Sequence, residues 1–161
     1  MTDAECLALA RPETTELIGD LLGRGSSVRI RVTGRSMAPL LKGGEVLTIE
    51  PAGASTLRLG DIVLFRREGP VIHRLVRREG PPGARVLFFK GDATSVIDGP
   101  VQPGDVLGRV VSIGATEASG GHDVRLDDPG RRAAALRIVW RWRAKQAARR
   151  LRDQLKGWMA R

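Results

Sequence analysis

Apolar positions recur along this chain at two different periods. Leu17, Ile18, Leu21 and Leu22 follow Pro12 at helical spacing, and Gly23 and Gly25 stop the run. Residues 1–25 therefore read as a short helical lead that packs on a domain edge. The lead is too short to hold the two helices and turn of a DNA-reading helix-turn-helix. From Ser27 the period falls to two. Val28, Ile30 and Val32 alternate, and Val46-Leu47-Thr48-Ile49 follows the Gly43-Gly44 turn. Asp61-Ile62-Val63-Leu64-Phe65 follows Gly60, and Val71 to Val76, Arg85 to Lys90 and Val106 to Ile113 complete six short strands. Gly80-Pro81-Pro82-Gly83 reads as an exposed hairpin loop. The pattern predicts a mainly β domain over 26–114, a compact and mostly antiparallel barrel or folded sheet. Residues 115–130 are small and polar and read as a linker, with room for one short strand from Asp123 to Leu126 and with His122 as an exposed loop histidine. From Arg131 the period is helical again. Leu136, Trp140, Ala144, Ala147, Leu151, Leu155 and Trp158 form one apolar stripe over 131–161, and neither Pro nor Gly interrupts it before Gly157.

Composition narrows the class. With 161 residues, 42% of them hydrophobic and 28% charged, the chain is globular and long enough for one domain with appendages. The single cysteine, Cys6, excludes an internal disulfide and any cysteine-rich metal site. Two histidines cannot build a typical His-rich zinc site; no metal and no other cofactor is expected. No stretch approaches the roughly 20 consecutive apolar residues of a membrane span. The acidic start, Met-Thr-Asp-Ala-Glu, does not resemble a secretory leader. A cytoplasmic location is therefore expected.

The charge is concentrated at one end. Residues 131–161 hold 11 of the 27 Lys and Arg and one acid, Asp153, for a local charge of +10. The other residues carry 16 bases (27 less 11) against 17 acids (18 less 1), so the β region is nearly neutral. A cationic helix with Trp and Leu on one side fits an anionic membrane surface, and peripheral contact with the inner face is the first expectation for 131–161. A solvated charged face and nucleic-acid binding by charge alone are the competing readings.

Candidate chemistry centres on Thr33-Gly34-Arg35-Ser36-Met37-Ala38-Pro39, at the end of the first alternating strand. Pro39 has a fixed φ and pushes Ala38 into an extended conformation, and Gly34 permits close backbone approach beside Ser36. A hydroxyl at a strand end suits a nucleophile, although serine is also an ordinary turn residue. His73 supplies a base of the type that titrates near neutrality, and Asp92 and Asp98 supply carboxylates to orient it. These four residues have the types of a Ser-His-Asp triad. Asp61 reads as a turn residue that starts a strand, outside the site.

Taken in order, Gly34-Arg35-Ser36-Met37-Ala38-Pro39, Gly60-Asp61-Ile62-Val63, His73-Arg74, Lys90-Gly91-Asp92, Asp98 and Gly108-Arg109-Val110-Val111 resemble a type I signal peptidase and, more broadly, the S24/S26 serine peptidase group. The resemblance covers roughly residues 28–113. Histidine at 73, where many bacterial relatives have lysine, resembles the archaeal and endoplasmic-reticulum type. The resemblance implies a signal-peptidase-like β fold and a serine endopeptidase working through an acyl-enzyme on a peptide or protein substrate. It makes Ser36 the nucleophile, His73 the general base, Asp98 the orienting acid and Asp92 a supporting residue, with the two aspartates interchangeable at this level. Gly34, Arg35, Met37 and Pro39 become the substrate and oxyanion rim. Relatives often carry a serine two positions before the nucleophile as an oxyanion donor. Here that position is Gly34, so a backbone group or Arg35 takes its place. Leu40 stands where relatives often have threonine, and the N-terminal anchor usual in signal peptidases is not expected. A catalytically inactive β module that binds peptide or membrane is the alternative. A self-cleaving repressor-like relative is disfavoured, because those use lysine as base and carry an N-terminal DNA-binding domain.

Overall fold

The computed structural model describes residues 7–8, 12–81, 84–116 and 119–159. Cys6, Pro82-Gly83 and Arg161 lie outside the described residues. Helix α1 (Pro12–Gly23) buries Ile18 and Leu22, one helical turn apart on one face. Nine strands are described: β1 (Leu7–Ala8), β2 (Val28–Arg31), β3 (Val46–Pro51), β4 (Ile62–Arg66), β5 (Pro70–Glu79), β6 (Val86–Lys90), β7 (Ile97–Val101), β8 (Val106–Ile113) and β9 (Val124–Arg125). They form one sheet in the order β1-β2-β3-β8-β4-β5-β6-β7, with β9 also on β8. Among the described residues, only the β1–β2 pairing is parallel. The mainly β, antiparallel fold with a short N-terminal helix and a long C-terminal helix is thus present.

Alternation along single strands builds two cores. On β4 four consecutive residues are buried. Ile62 and Leu64 face one way and join Ile18, Leu22, Ile30, Leu47 and Ile49. Val63 and Phe65 face the other way and join Leu75, Leu87 and Phe89, with the Phe65 and Phe89 rings stacked 4.3 Å apart. A strand buried on both faces reads as a continuous apolar run, because each face of the pleat meets its own core.

Two strands escape the sequence pattern. β1 is only two residues long. β7 contains Gly99-Pro100, which looks like a loop signal. It is the last strand in the sheet order, where proline's missing amide costs no ladder bond. Gly99 has φ 148°, and a Cβ there would meet Phe88 Cδ1 at 2.6 Å, so glycine is required at the bend. β7 matters because it presents Asp98 opposite Phe89 of β6.

Helix α2 (Pro129–Met159) starts two residues earlier than the charge pattern suggests, inside the segment read as linker. Asp128 explains the start. Its Oδ1 accepts the Gly130 and Arg131 amides at 3.0 and 3.2 Å, and Pro129 takes the first turn, where no amide partner is needed. The first half of α2 docks on the sheet through Val139, 1% exposed, which packs with Val76 and Phe88 beside Trp142. Arg132 Nη1 adds an ion pair to Asp61 Oδ1 at 3.2 Å. Asp61 is a turn residue as read, since its Oδ2 accepts the Arg58 amide at 2.7 Å, and it also tethers α2. The stripe read from the sequence is not the docked face. Trp140, Leu151 and Trp158 are 61%, 58% and 79% exposed.

Candidate active site

Ser36 lies on the loop between β2 and β3. That loop is closed at its base by the Val32 amide on the Glu45 carbonyl at 3.0 Å and the Gly44 amide on the Val32 carbonyl at 2.6 Å. The Glu45 carboxylate accepts the Lys42 and Gly43 amides, each at 2.8 Å. Burial raises the pKa of this carboxyl. The amides of Lys42, Glu45 and Gly43 and the nearby Lys42 ammonium outweigh it and hold the group below its ordinary value of 4.5. A folded pKa below the unfolded one contributes stability above about pH 4.5 that is lost as pH falls through the folded value. Glu45→Gln is therefore expected to lower the melting temperature at neutral pH and to flatten its fall below pH 4.5. Melting curves taken from pH 3 to pH 7 check this, and parallel curves for the two proteins would remove Glu45 from the account.

Within the loop, Ser36–Leu40 form a turn that inserts Met37 and Leu41 into the core. With its side chains pinned on the apolar side, the turn leaves the Ser36 hydroxyl facing β5. There Ser36 Oγ lies 2.9 Å from His73 Nε2, and His73 Nδ1 lies 2.5 Å from Asp98 Oδ2. The three side chains come from the β2–β3 loop, β5 and β7, so the line exists only in the folded chain. Asp98 Oδ1 accepts Arg67 Nη1 at 2.9 Å from the β4–β5 hairpin. Both carboxylate oxygens are thus occupied, and the one facing His73 is fixed in place.

Strand alternation separates the two aspartates. His73 and Arg74 are neighbours on β5 and point to opposite faces. His73 meets Asp98. Arg74 meets Asp92 with two parallel bonds, Nε to Oδ1 at 2.8 Å and Nη2 to Oδ2 at 2.6 Å, and gives Nη1 to the Gly60 carbonyl at 2.8 Å. This pair is almost fully buried, at 3% and 7% side-chain exposure. Asp92 is occupied by Arg74 and holds the loop after β6. Lys90 Nζ donates to the Gly91 carbonyl at 2.8 Å on the same loop, and burial lowers its pKa against the opposing pull of Asp92.

That loop is sewn to the serine. The Ala93 amide donates to the Ser36 carbonyl at 2.9 Å. At Gly91 a Cβ would stand 2.6 Å from the Ser36 carbonyl oxygen and 2.9 Å from His73 Nε2. Arg67 and Gly91 were not singled out in the sequence. Arg67 looks like any hairpin arginine, whereas Gly91 had a signal in its place between Lys90 and Asp92.

A cleft of about 240 Å³ opens beside Ser36 and His73, between Val32–Gly34 and Pro70–Ile72. Gly34 and Met37 line it. Pro39 does not. It lines a separate cavity with Leu40 and the first turns of α2, and the chain returns to the cleft at Leu41. Arg35 is directed to the Lys42 carbonyl, its Nε 3.3 Å away, which leaves the Ser36 amide as the donor beside the hydroxyl. Among the described residues, no group of three or more His, Cys, Asp or Glu is placed to hold a metal ion.

Neither a curated protein nor a solved structure matches the chain. A protein-family model does, that of the Peptidase S24-like family, over residues 6–87. The matched stretch contains Ser36 and His73 and ends before Asp92 and Asp98. It takes in just over half of the 161 residues, and on that match the chain belongs to the Peptidase S24-like family.

Proposed function

We propose that this chain is a serine endopeptidase of signal-peptidase-like type, with Ser36 as nucleophile, His73 as general base and Asp98 as the acid that orients it. The observation that carries the reading is the unbroken line from Ser36 Oγ to His73 Nε2 and from His73 Nδ1 to Asp98 Oδ2, at 2.9 and 2.5 Å. Ser36 Oγ bonds to the scissile carbonyl carbon while its proton passes to Nε2. Asp98 keeps the proton on Nδ1 and stabilises the imidazolium that forms. The carbonyl oxygen, now negative, is met by the Ser36 amide. The C–N bond then breaks, and Nε2 returns the proton to the departing amine. Water, deprotonated by His73, releases the acyl group from Ser36 and restores the hydroxyl.

The substrate is an extended peptide laid as a strand between Val32–Gly34 and Pro70–Ile72, read by backbone bonds. The cleft volume of about 240 Å³ lies below the range of drug-sized pockets and favours small side chains before the cut. The test is fluorophosphonate labelling of the purified chain with site mapping, followed by cleavage of a peptide library. Labelling at Ser36 that is lost in Ser36→Ala and His73→Ala, with cuts after small residues, is the expected result. If the folded wild type labels no better than Ser36→Ala, with lipid present or absent, catalysis is abandoned for a peptide-binding β module.

A further inference from the structure

We propose that the outward apolar face of α2 docks on the surface of an anionic lipid bilayer, with the helix lying in the interface and not crossing it. Helix α2 has two apolar faces, and the sheet uses one. Val139 and Trp142 are spent on the sheet. Leu136, Trp140, Leu151, Leu155 and Trp158 are 37%, 61%, 58%, 53% and 79% exposed, and spacings of 4, 11, 4 and 3 hold them in one line. From Ala147 to Trp158 every described side chain is exposed, over a length of about 18 Å at 1.5 Å per residue.

Charge complementarity selects the occupant. Residues 131–161 carry +10. Arg141, Lys145, Arg149, Arg152 and Lys156 follow one another at spacings of 4, 4, 3 and 4, so they form a cationic line. Each stands five positions after a residue of the apolar stripe, a rotation of about 140° at 3.6 residues per turn. The helix therefore presents an apolar side and a cationic side. Arg137, Arg143 and Arg150 flank the stripe, and the Arg143 guanidinium sits 5.3 Å above the Trp140 ring. Arginines beside an apolar face lay their stems along it and lift their heads to anionic lipid. A second copy of the chain would bring two +10 helices together. A nucleic acid would neutralise the cations and leave Trp140 and Trp158 in water. No described helix is long and apolar enough to cross a membrane. A bilayer surface uses both properties of the helix at once.

The inference does not rest on the peptidase reading. Its test uses the full chain and vesicles of phosphatidylcholine with 30% phosphatidylglycerol at 50 mM salt, read by flotation and tryptophan fluorescence. All three tryptophans, Trp140, Trp142 and Trp158, lie on α2, so the fluorescence reports that helix alone. Binding is expected to shift the emission to the blue, to fall steeply at 500 mM salt and to vanish on pure phosphatidylcholine. Brominated acyl chains are expected to quench the wild type, a readout that needs no variant. Trp140→Ser with Leu151→Ser and Trp158→Ser, all at exposed positions, should lower partitioning by at least about a hundredfold, since burying each side chain is worth roughly tenfold or more. Replacing the five cations of the line with Gln should also cost about a hundredfold or more, each base at an anionic surface counting for up to about fivefold. Absence of flotation by the wild type would overturn the proposal. So would equal partitioning of the serine variant, absence of bromine quenching, or duplex DNA displacing the protein from vesicles at equal charge concentration.

Discussion

Asp98→Asn is expected to reduce kcat for peptide cleavage by about a thousandfold to ten-thousandfold while leaving the melting temperature nearly unchanged. The reason is the direction of one hydrogen bond. Asp98 Oδ2 faces His73 Nδ1 at 2.5 Å and can only accept, so it fixes the proton on Nδ1 and leaves Nε2 free to take the Ser36 proton. An asparagine amide in that place donates to Nδ1, which moves the ring proton to Nε2 and turns it against the Ser36 hydroxyl. The geometry is kept and the base is lost. The Arg67 pair at Asp98 is half-exposed on the arginine side, so its loss costs little stability.

Asp92→Asn should give the opposite pattern. It leaves the Arg74 guanidinium in the interior without its counter-charge, and breaking such a buried pair costs about 3 to 5 kcal/mol. Denaturant unfolding and steady-state kinetics on the two variants read this double contrast. A large activity loss in Asp92→Asn at full stability, with Asp98→Asn active, would reverse the assignment of the two carboxylates.

The sequence carried the strand pattern well because period-two alternation records which face a residue takes. Val28 and Ile30 could be placed on a strand from their alternation, and Ile62 to Phe65 from a short apolar run that follows Gly60. The order of motifs brought out Ser36 and His73 together. The partner of His73 was beyond that reasoning. Asp92 and Asp98 are six residues apart, and the choice between them depends on which face of β5 each reaches and on the existence of β7. Gly99 and Pro100 disguise that strand, and only the edge position in the sheet makes them tolerable. Helix α2 was legible as a helix, but its docked face was not. Val139 and Trp142 gain their role from Val76 and Phe88, residues of β5 and β6 that no periodicity within α2 can reveal. Pro39 shows the reverse error. It is next to the serine in sequence, and the turn that presents Ser36 to His73 carries Pro39 to the other side.

Gly91→Ala should lower the rate of fluorophosphonate labelling at Ser36 by at least about a hundredfold, although it adds one methyl group and replaces no residue of the triad. The methyl has no room. Its carbon would lie 2.6 Å from the Ser36 carbonyl oxygen, 2.9 Å from His73 Nε2 and 3.0 Å from Thr94 Cγ2. The nearest of these is backbone, and it is held by the Ala93 amide at 2.9 Å. The Lys90–Thr94 loop is anchored in turn by the buried Arg74–Asp92 pair, so it cannot retreat without breaking that pair. The Ser36 loop must move instead, and a displacement of about 1 Å between nucleophile and base can cost a hundredfold. Overpacking also destabilises, here by about 1 to 3 kcal/mol, so labelling is to be measured well below the variant's melting temperature. Substituting Thr94→Gly in the same chain relieves only the 3.0 Å contact and should not restore the rate. If Gly91→Ala labels as fast as wild type, the loop after β6 yields freely, and the close packing of Gly91 against Ser36 and His73 has no part in holding the hydroxyl on the imidazole.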